Sequence, residues 1–265
     1  MDYIEINKNL WNRKTEFHFD SEFYGVDSFK NGKDSLNQVE LGLLGNISGK
    51  KILHLQCHFG QDTISLARHG ALATGVDFSE KAIEKAIQLN ESLQTNARFI
   101  QSDIYKLTEV LDEQFDIVFT SYGVVGWLQD IKKWAEIIDH FLKPGGEFVM
   151  VEFHPVVWMF SYDFKHIEFN YMDSEPIIEE LEGTYTDKSA KIKEKSVSWN
   201  HGLSKILDSI IKSGLVINDF KEYNYSPYNC FENTVKMGDR KYKIKGLEDK
   251  IPMMYSLKAE KPKLA

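Results

Sequence analysis

Cysteine is almost missing from this chain: Cys57 and Cys230 are the only two in 265 residues. Two cysteines cannot build a disulfide framework, so the reading is a reducing compartment, the cytoplasm. Long apolar runs are missing too. The longest, around 148–160, is broken by Glu152, His154 and Pro155, and the opening MDYIEINKNLWNRK lacks the apolar stretch of a secretory signal. Neither a membrane span nor export is expected. Runs of one charge are also lacking. The 32 basic and 40 acidic residues give a net charge of -8, and without a basic stripe a phosphate backbone is not an expected partner. No internal repeat or low-complexity segment is visible. What remains is ample length for one large domain with an elaboration.

Residues 1–34 are polar and rich in aromatics (Trp11, Phe17, Phe19, Phe23, Tyr24, Phe29) without a clear period. They read as short helices and loops, part of a cover spanning 1–45. Leu36, Val39, Glu40, Leu43 and Leu44 fit one helix face that Gly45 stops. Strand and helix then alternate through a core at 46–155. Strands are predicted near 51–55, 73–77, 97–101, 115–121 and 146–152, and helices near 61–69, 79–94 and 130–142. In the last helix Asp130 can cap the start, and Ile131, Trp134, Ala135, Ile138, Phe141 and Leu142 share a face. Such alternation predicts βαβ units and a parallel sheet. Residues 156–200 break the pattern with many aromatics among charges. They are too long for an ordinary loop and read as an insertion with short strands of its own. Residues 201–265 return to a helix (Leu203, Ile206, Leu207, Ile210, Ile211), then strands near 215–222 and 253–259.

Chemistry is expected where the parallel strands end. The loop Gln56-Cys57-His58-Phe59-Gly60 follows the first strand, and such a turn offers free backbone N–H groups to a ligand. Gln56 and His58 stand where a dinucleotide site would have glycines, so a pyrophosphate would be crowded. Asp77 ends the second strand some twenty residues later. It is either a carboxylate for two ribose hydroxyls or a cap for the helix starting near Ser79. Ser102-Asp103 ends the third strand in the same register. Three successive strand ends of this kind make a nucleoside site. His54, His58 and His69 with Cys57 do not match a zinc spacing, and no metal is expected.

These residues resemble the class I S-adenosylmethionine-dependent methyltransferases over 50–155. The first strand and loop match their first motif, with HLQCHFGQD at 54–62 similar to a variant found in a bacterial subgroup. Asp77 matches the ribose acid, Ser102-Asp103 the adenine side, FDIVFTSYG the fourth strand, and Lys143-Pro144-Gly145-Gly146 the turn before the fifth. The resemblance implies an α/β Rossmann-like fold. Its seven-stranded, mostly parallel sheet has order 3-2-1-4-5-7-6, the last strand antiparallel, with helices on both faces and a lid inserted after strand 5. It implies S-adenosyl-L-methionine as cofactor, contacted by Gln56, Cys57, His58, Phe59, Gly60, Asp77, Phe78, Ser102, Asp103, Ile104, Ser121 and Tyr122. The chain departs from the family at His54, where an acid is usual, and at Gln56 and His58. The methionine end of the cofactor must then be held differently, by the Trp11–Tyr24 segment.

On the acceptor side, Tyr24, Trp127, Trp199 and Asn200 are candidates, with His154, His201 or Tyr122 as proton-handling groups. For the aromatics the alternative role is core packing, for Asn200 a helix cap, and for both histidines a structural hydrogen bond. The aromatics of 156–200 and 223–250 suit an apolar lid, and a small-molecule acceptor fits the absence of basic clusters. Monomer and homodimer both remain open. The competing functions are a cofactor-binding protein of weak turnover with a sensing or subunit role, and a nicotinamide-dependent oxidoreductase.

Overall fold

The computed structural model describes residues 2–172 and 175–263. Three helices come first, α1 (Tyr3–Phe19), α2 (Val26–Lys30) and α3 (Gln38–Leu44). The core follows as β1 (Lys51–Leu55), α4 (Gln61–Arg68), β2 (Leu72–Asp77), α5 (Glu80–Ser92), β3 (Arg98–Gln101), β4 (Phe115–Ser121), α6 (Ile131–Phe141) and β5 (Leu142–Phe153). The insertion carries β6 (Ile177–Glu182) and β7 (Lys193–Ser198). The chain then runs through α7 (Leu203–Lys212), β8 (Val216–Tyr223), β9 (Thr234–Gly238), β10 (Lys241–Ile244) and β11 (Met254–Glu260).

The main sheet has seven strands in the order β3-β2-β1-β4-β5-β11-β8. The first five are parallel, and β11 runs antiparallel to both β5 and β8. Counting sheet strands alone, this is the expected 3-2-1-4-5-7-6 topology. Alternation along the strands explains why both faces are covered. Leu53, Val118, Phe148 and Met150 point into one core with Trp134, Ile138, Ile206 and Ile210 of α6 and α7. Their neighbours Ile52, Ile117, Phe119 and Val149 point into a second core with Leu44 and Leu66 of α3 and α4. Asp130 caps α6 by accepting from the Lys133 N–H at 2.9 Å.

Two elements differ from the sequence-based expectation. The N-terminal segment opens not with short pieces but with one 17-residue helix, α1, and only then turns to the short α2. Its buried positions, Asn7, Leu10, Lys14, Thr15 and His18, do follow a helical period, but four of the five are polar, so no apolar stripe advertises them. The Lys143-Pro144-Gly145-Gly146 segment is not a turn ahead of β5 but a bulge within it. Phe115 pairs with Leu142 and Ile117 with Glu147, so four residues loop out opposite Asp116. Glycine is required there, because a Cβ on Gly146 would lie 2.9 Å from the Lys143 carbonyl and 3.1 Å from that of Asp116.

Candidate cofactor and acceptor site

The loop after β1 keeps a glycine path without the glycines. Gln56 and His58 sit at φ 55° and 50°, in the left-handed region that costs an L residue about 1–2 kcal/mol. At Gly60, itself at φ 79°, a Cβ would lie 2.5 Å from the Phe99 ring, so a side chain there would displace that ring. What holds the loop is Asp77. One carboxylate oxygen accepts the His58 N–H at 2.8 Å and the other the Ser79 N–H at 2.9 Å. Each oxygen therefore keeps a lone pair for a further donor. Burial pushes the Asp77 carboxyl up to about 6, against the pull of these N–H groups. The α5 cap falls instead to Ser79, whose side chain accepts from the Ala82 N–H. Cys57 is buried and donates its backbone N–H to Val76. Phe78 and the buried Ser102 and Ile104 border the β2 and β3 ends, and Asp103 turns the chain by accepting from the Tyr105 N–H.

A cover of α1 and insertion residues lies over this loop. Trp11 meets the His58 ring edge-on at 5.3 Å, and His18 Nδ1 lies 3.1 Å from His58 Nε2. Burial drives the His58 imidazole down to about 3, so this pair is uncharged at neutral pH. Tyr24 packs on Phe59 at 4.7 Å and shares a hydroxyl contact with Tyr185 of the insertion. Asn7 pairs with Val197 of β7 through two hydrogen bonds, of 2.7 and 2.9 Å, as a strand neighbour would. Lys14 is buried with its ammonium 5.1 Å from the Trp11 ring and 5.3 Å from that of Trp127.

At the ends of β1 and β4 a buried polar chain starts at Thr63, which lies 2.8 Å from His54 Nδ1. His54 Nε2 lies 3.3 Å from the Ser121 hydroxyl, which donates to Asp62 at 3.0 Å. Because Ser121 spends its proton on Asp62, His54 is the Nε2–H tautomer and accepts from Thr63. His54 is held neutral, pushed down to about 3 by burial. The carboxylate absent from β1 thus reappears at Asp62, on the first turn of α4.

Beside it stands Glu40, fully buried, with one oxygen accepting from Asn37 at 3.0 Å. The Glu40 carboxyl and the Tyr122 hydroxyl are set against each other, and neither Glu40 Oε2 nor that hydroxyl has another hydrogen-bond partner among the described residues. Burial raises the Glu40 carboxyl to about 7. Tyr122 packs against Tyr228 at 5.1 Å and Phe153 at 5.5 Å, and Asn37 also reaches the Tyr228 hydroxyl at 3.1 Å. Sequence reasoning missed both Glu40 and Asp62. The signal for Glu40 was a lone carboxylate on an otherwise apolar helix face.

The other candidates are brought to the same sheet edge in different roles. His201 lies 2.7 Å from the Leu128 carbonyl, and Trp199 donates its backbone N–H to Gly126. Asn200 donates to the Asn170 carbonyl rather than capping α7. His154 accepts from the Val156 N–H and lies 2.9 Å from Glu222 of β8. Both histidines therefore tie loops together, and burial lowers both, His201 to about 4. Glu152, buried at the end of β5, accepts from the N–H groups of Gly123, Val124, Val125 and Phe153. It fixes the loop that presents Tyr122 and Trp127, and Gln56 reaches that loop at the Val124 carbonyl, 3.3 Å away.

Residues 52–146 match a methyltransferase domain family. The chain is 33% identical over 134 residues to an uncharacterized methyltransferase of Synechocystis sp., covering 49% of this chain and 59% of that one. It is 34% identical over 101 residues to a ubiquinone biosynthesis O-methyltransferase of Coxiella burnetii, covering 38% and 42%. The matched part spans about half the length of these relatives. Among solved structures, an S-adenosylmethionine-dependent methyltransferase from Mesorhizobium loti superposes with a TM-score of 0.61 at 21% identity, covering 89% of this chain and 100% of that one. The chain has the class I S-adenosylmethionine-dependent methyltransferase fold, and the domain match falls on the stretch that carries the loop, Asp77 and the β4 end.

Proposed function

We propose that the chain transfers a methyl group from S-adenosylmethionine to a small-molecule acceptor. The observation that carries this reading is the loop–Asp77 unit. Gln56 and His58 hold glycine-like backbone against their own preference, and Asp77, which braces them, keeps lone pairs for a diol. Asp77 would accept the ribose hydroxyls, with Phe78, Asp103 and Ile104 around the base and Ser121 and Tyr122 beside the sulfur end. S-adenosylmethionine, when bound, supplies a methyl group on a positively charged sulfur, already activated for displacement. The chain's own task is then to align the acceptor, exclude water and receive a proton if the acceptor carries one.

Glu40 is the group for that last task. A carboxyl raised by burial to about 7 is ionised in part at neutral pH, and the Tyr122 hydroxyl is set against it. Tyr122 and Tyr228 stand close to it. The chain's aromatic, uncharged histidine cover suits a partly apolar acceptor. Calorimetry with S-adenosylhomocysteine tests the cofactor. Submicromolar to micromolar binding, with NAD giving none, is the expected result, and no binding would remove the reading. Incubation of radiolabelled S-adenosylmethionine with fractionated metabolite extracts tests transfer. Binding without transfer to any fraction would favour the cofactor-binding role instead.

A further inference from the structure

Lys14 is 5% exposed, yet no carboxylate among the described residues lies within ion-pair distance of its ammonium. Its surroundings are two indole faces, Trp11 and Trp127, and the rings of His18 and His58. Those imidazoles are neutral and offer no countercharge. Glu179 of the insertion acts on Lys14 only through space. A buried ammonium without an anion is costly, and cation–π contacts offset only part of that. A site so built is completed by a negatively charged group.

The topology says which group. The strand order reverses between β1 and β4, the crevice where open α/β sheets take ligands. With a sugar at Asp77 on β2 and a base beside Asp103 after β3, the remaining end of a nucleoside ligand runs toward β1 and β4. Lys14 stands over that crevice. Trp11 links it to His58 in the loop after β1, and Trp127 belongs to the loop after β4. We infer that Lys14 holds the carboxylate of the cofactor's methionine tail, above a loop in which Gln56 and His58 stand in place of glycine. The inference rests on the proposed cofactor.

The test compares two ligands that differ only beyond the sulfur: S-adenosylhomocysteine, with the amino-acid tail, and 5′-methylthioadenosine, without it. Wild-type protein should bind the first at least tenfold more tightly. Lys14→Met should weaken S-adenosylhomocysteine about 10- to 100-fold, the range for a hydrogen bond to a charged group, and leave methylthioadenosine within threefold. Lys14→Arg should restore most of the preference. Equal loss for both ligands in Lys14→Met would reduce Lys14 to a packing residue and overturn the inference. So would a preference that survives in Lys14→Met, or an arginine variant no better than methionine. If Lys14→Met does not fold, Lys14→Gln carries the same comparison. Failure of the wild-type protein to bind either ligand would overturn the cofactor reading itself, and this inference with it.

Discussion

Asp77 performs two tasks at one position, and they separate experimentally. It braces the loop through His58 and Ser79, and it would receive the ribose. Asp77→Ala should weaken S-adenosylhomocysteine by about 1.5–3 kcal/mol and also lower unfolding free energy by about 1–3 kcal/mol, because two buried N–H groups lose their acceptor. Calorimetry and urea denaturation read the two effects; unchanged affinity would leave Asp77 a bracing residue only. Gln56 offers the opposite case. Its left-handed strain and its long 3.3 Å contact to Val124 nearly offset, so Gln56→Gly should shift stability by less than about 1 kcal/mol. A loss of several kcal/mol on denaturation would mean that the side chain, not the backbone, shapes the loop. Glu152 is the group least tolerant of change. Glu152→Gln puts an amide donor among four N–H groups and should cost about 1–3 kcal/mol, visible as a lower urea midpoint; a variant as stable as the wild type would contradict the bracing role.

At the level of elements, what could be read from the chain depended on whether burial was apolar. β1, β4 and β5 alternate between two hydrophobic cores, and α6 shows its apolar face and its Asp130 cap, so each was placed within a few residues. α1 hid because it buries Asn7, Lys14, Thr15 and His18. The β9–β10 hairpin hid because Lys236, Lys241 and Lys243 fill its run and mask the alternation of a short exposed ribbon. The site divided in the same way. The loop, Asp77 and Ser102-Asp103 are marked by position at strand ends, whereas Glu40 and Asp62 lie on helices where one carboxylate reads as surface. His154 and His201 drew attention by residue type, but their partners, Glu222 and Leu128, are set by tertiary packing alone. Because Asn7 joins α1 to β7, Asn7→Ala should raise amide exchange along both elements while that of β1 and β4 stays unchanged. Protection that stays intact in α1 would show that Trp11 and Tyr24 suffice to dock it.

For the molecule as a whole, the buried titratable groups oppose each other. His54, His58 and His201 are pushed below their usual range, to about 3, 3 and 4. The unfolded chain therefore takes up protons that the folded one refuses, and stability is lost as pH falls below about 6.5. Asp77 and Glu40 are raised to about 6 and about 7. They act the other way, favouring the folded state as pH falls from those values toward the ordinary carboxylate range. His18 and His154, also lowered, add to the first group, and the Asp62 and Glu152 carboxyls, also raised by burial, add to the second. With five imidazoles that must charge on unfolding, the melting temperature should fall on acidification from pH 7 to 5, and a rise would mean that the carboxyls dominate.

The clasp between Asn7 and Val197 spans 190 residues of chain. During synthesis α1 is made well before its partner, which emerges only after the five parallel strands have been made. A helix whose inner face is mostly polar can wait in water without seeking a false partner, as an apolar one would not. The roof over the β1 and β4 ends can therefore close only after the five parallel strands have been made, while β8 and β11, the last two strands of the sheet, still await synthesis.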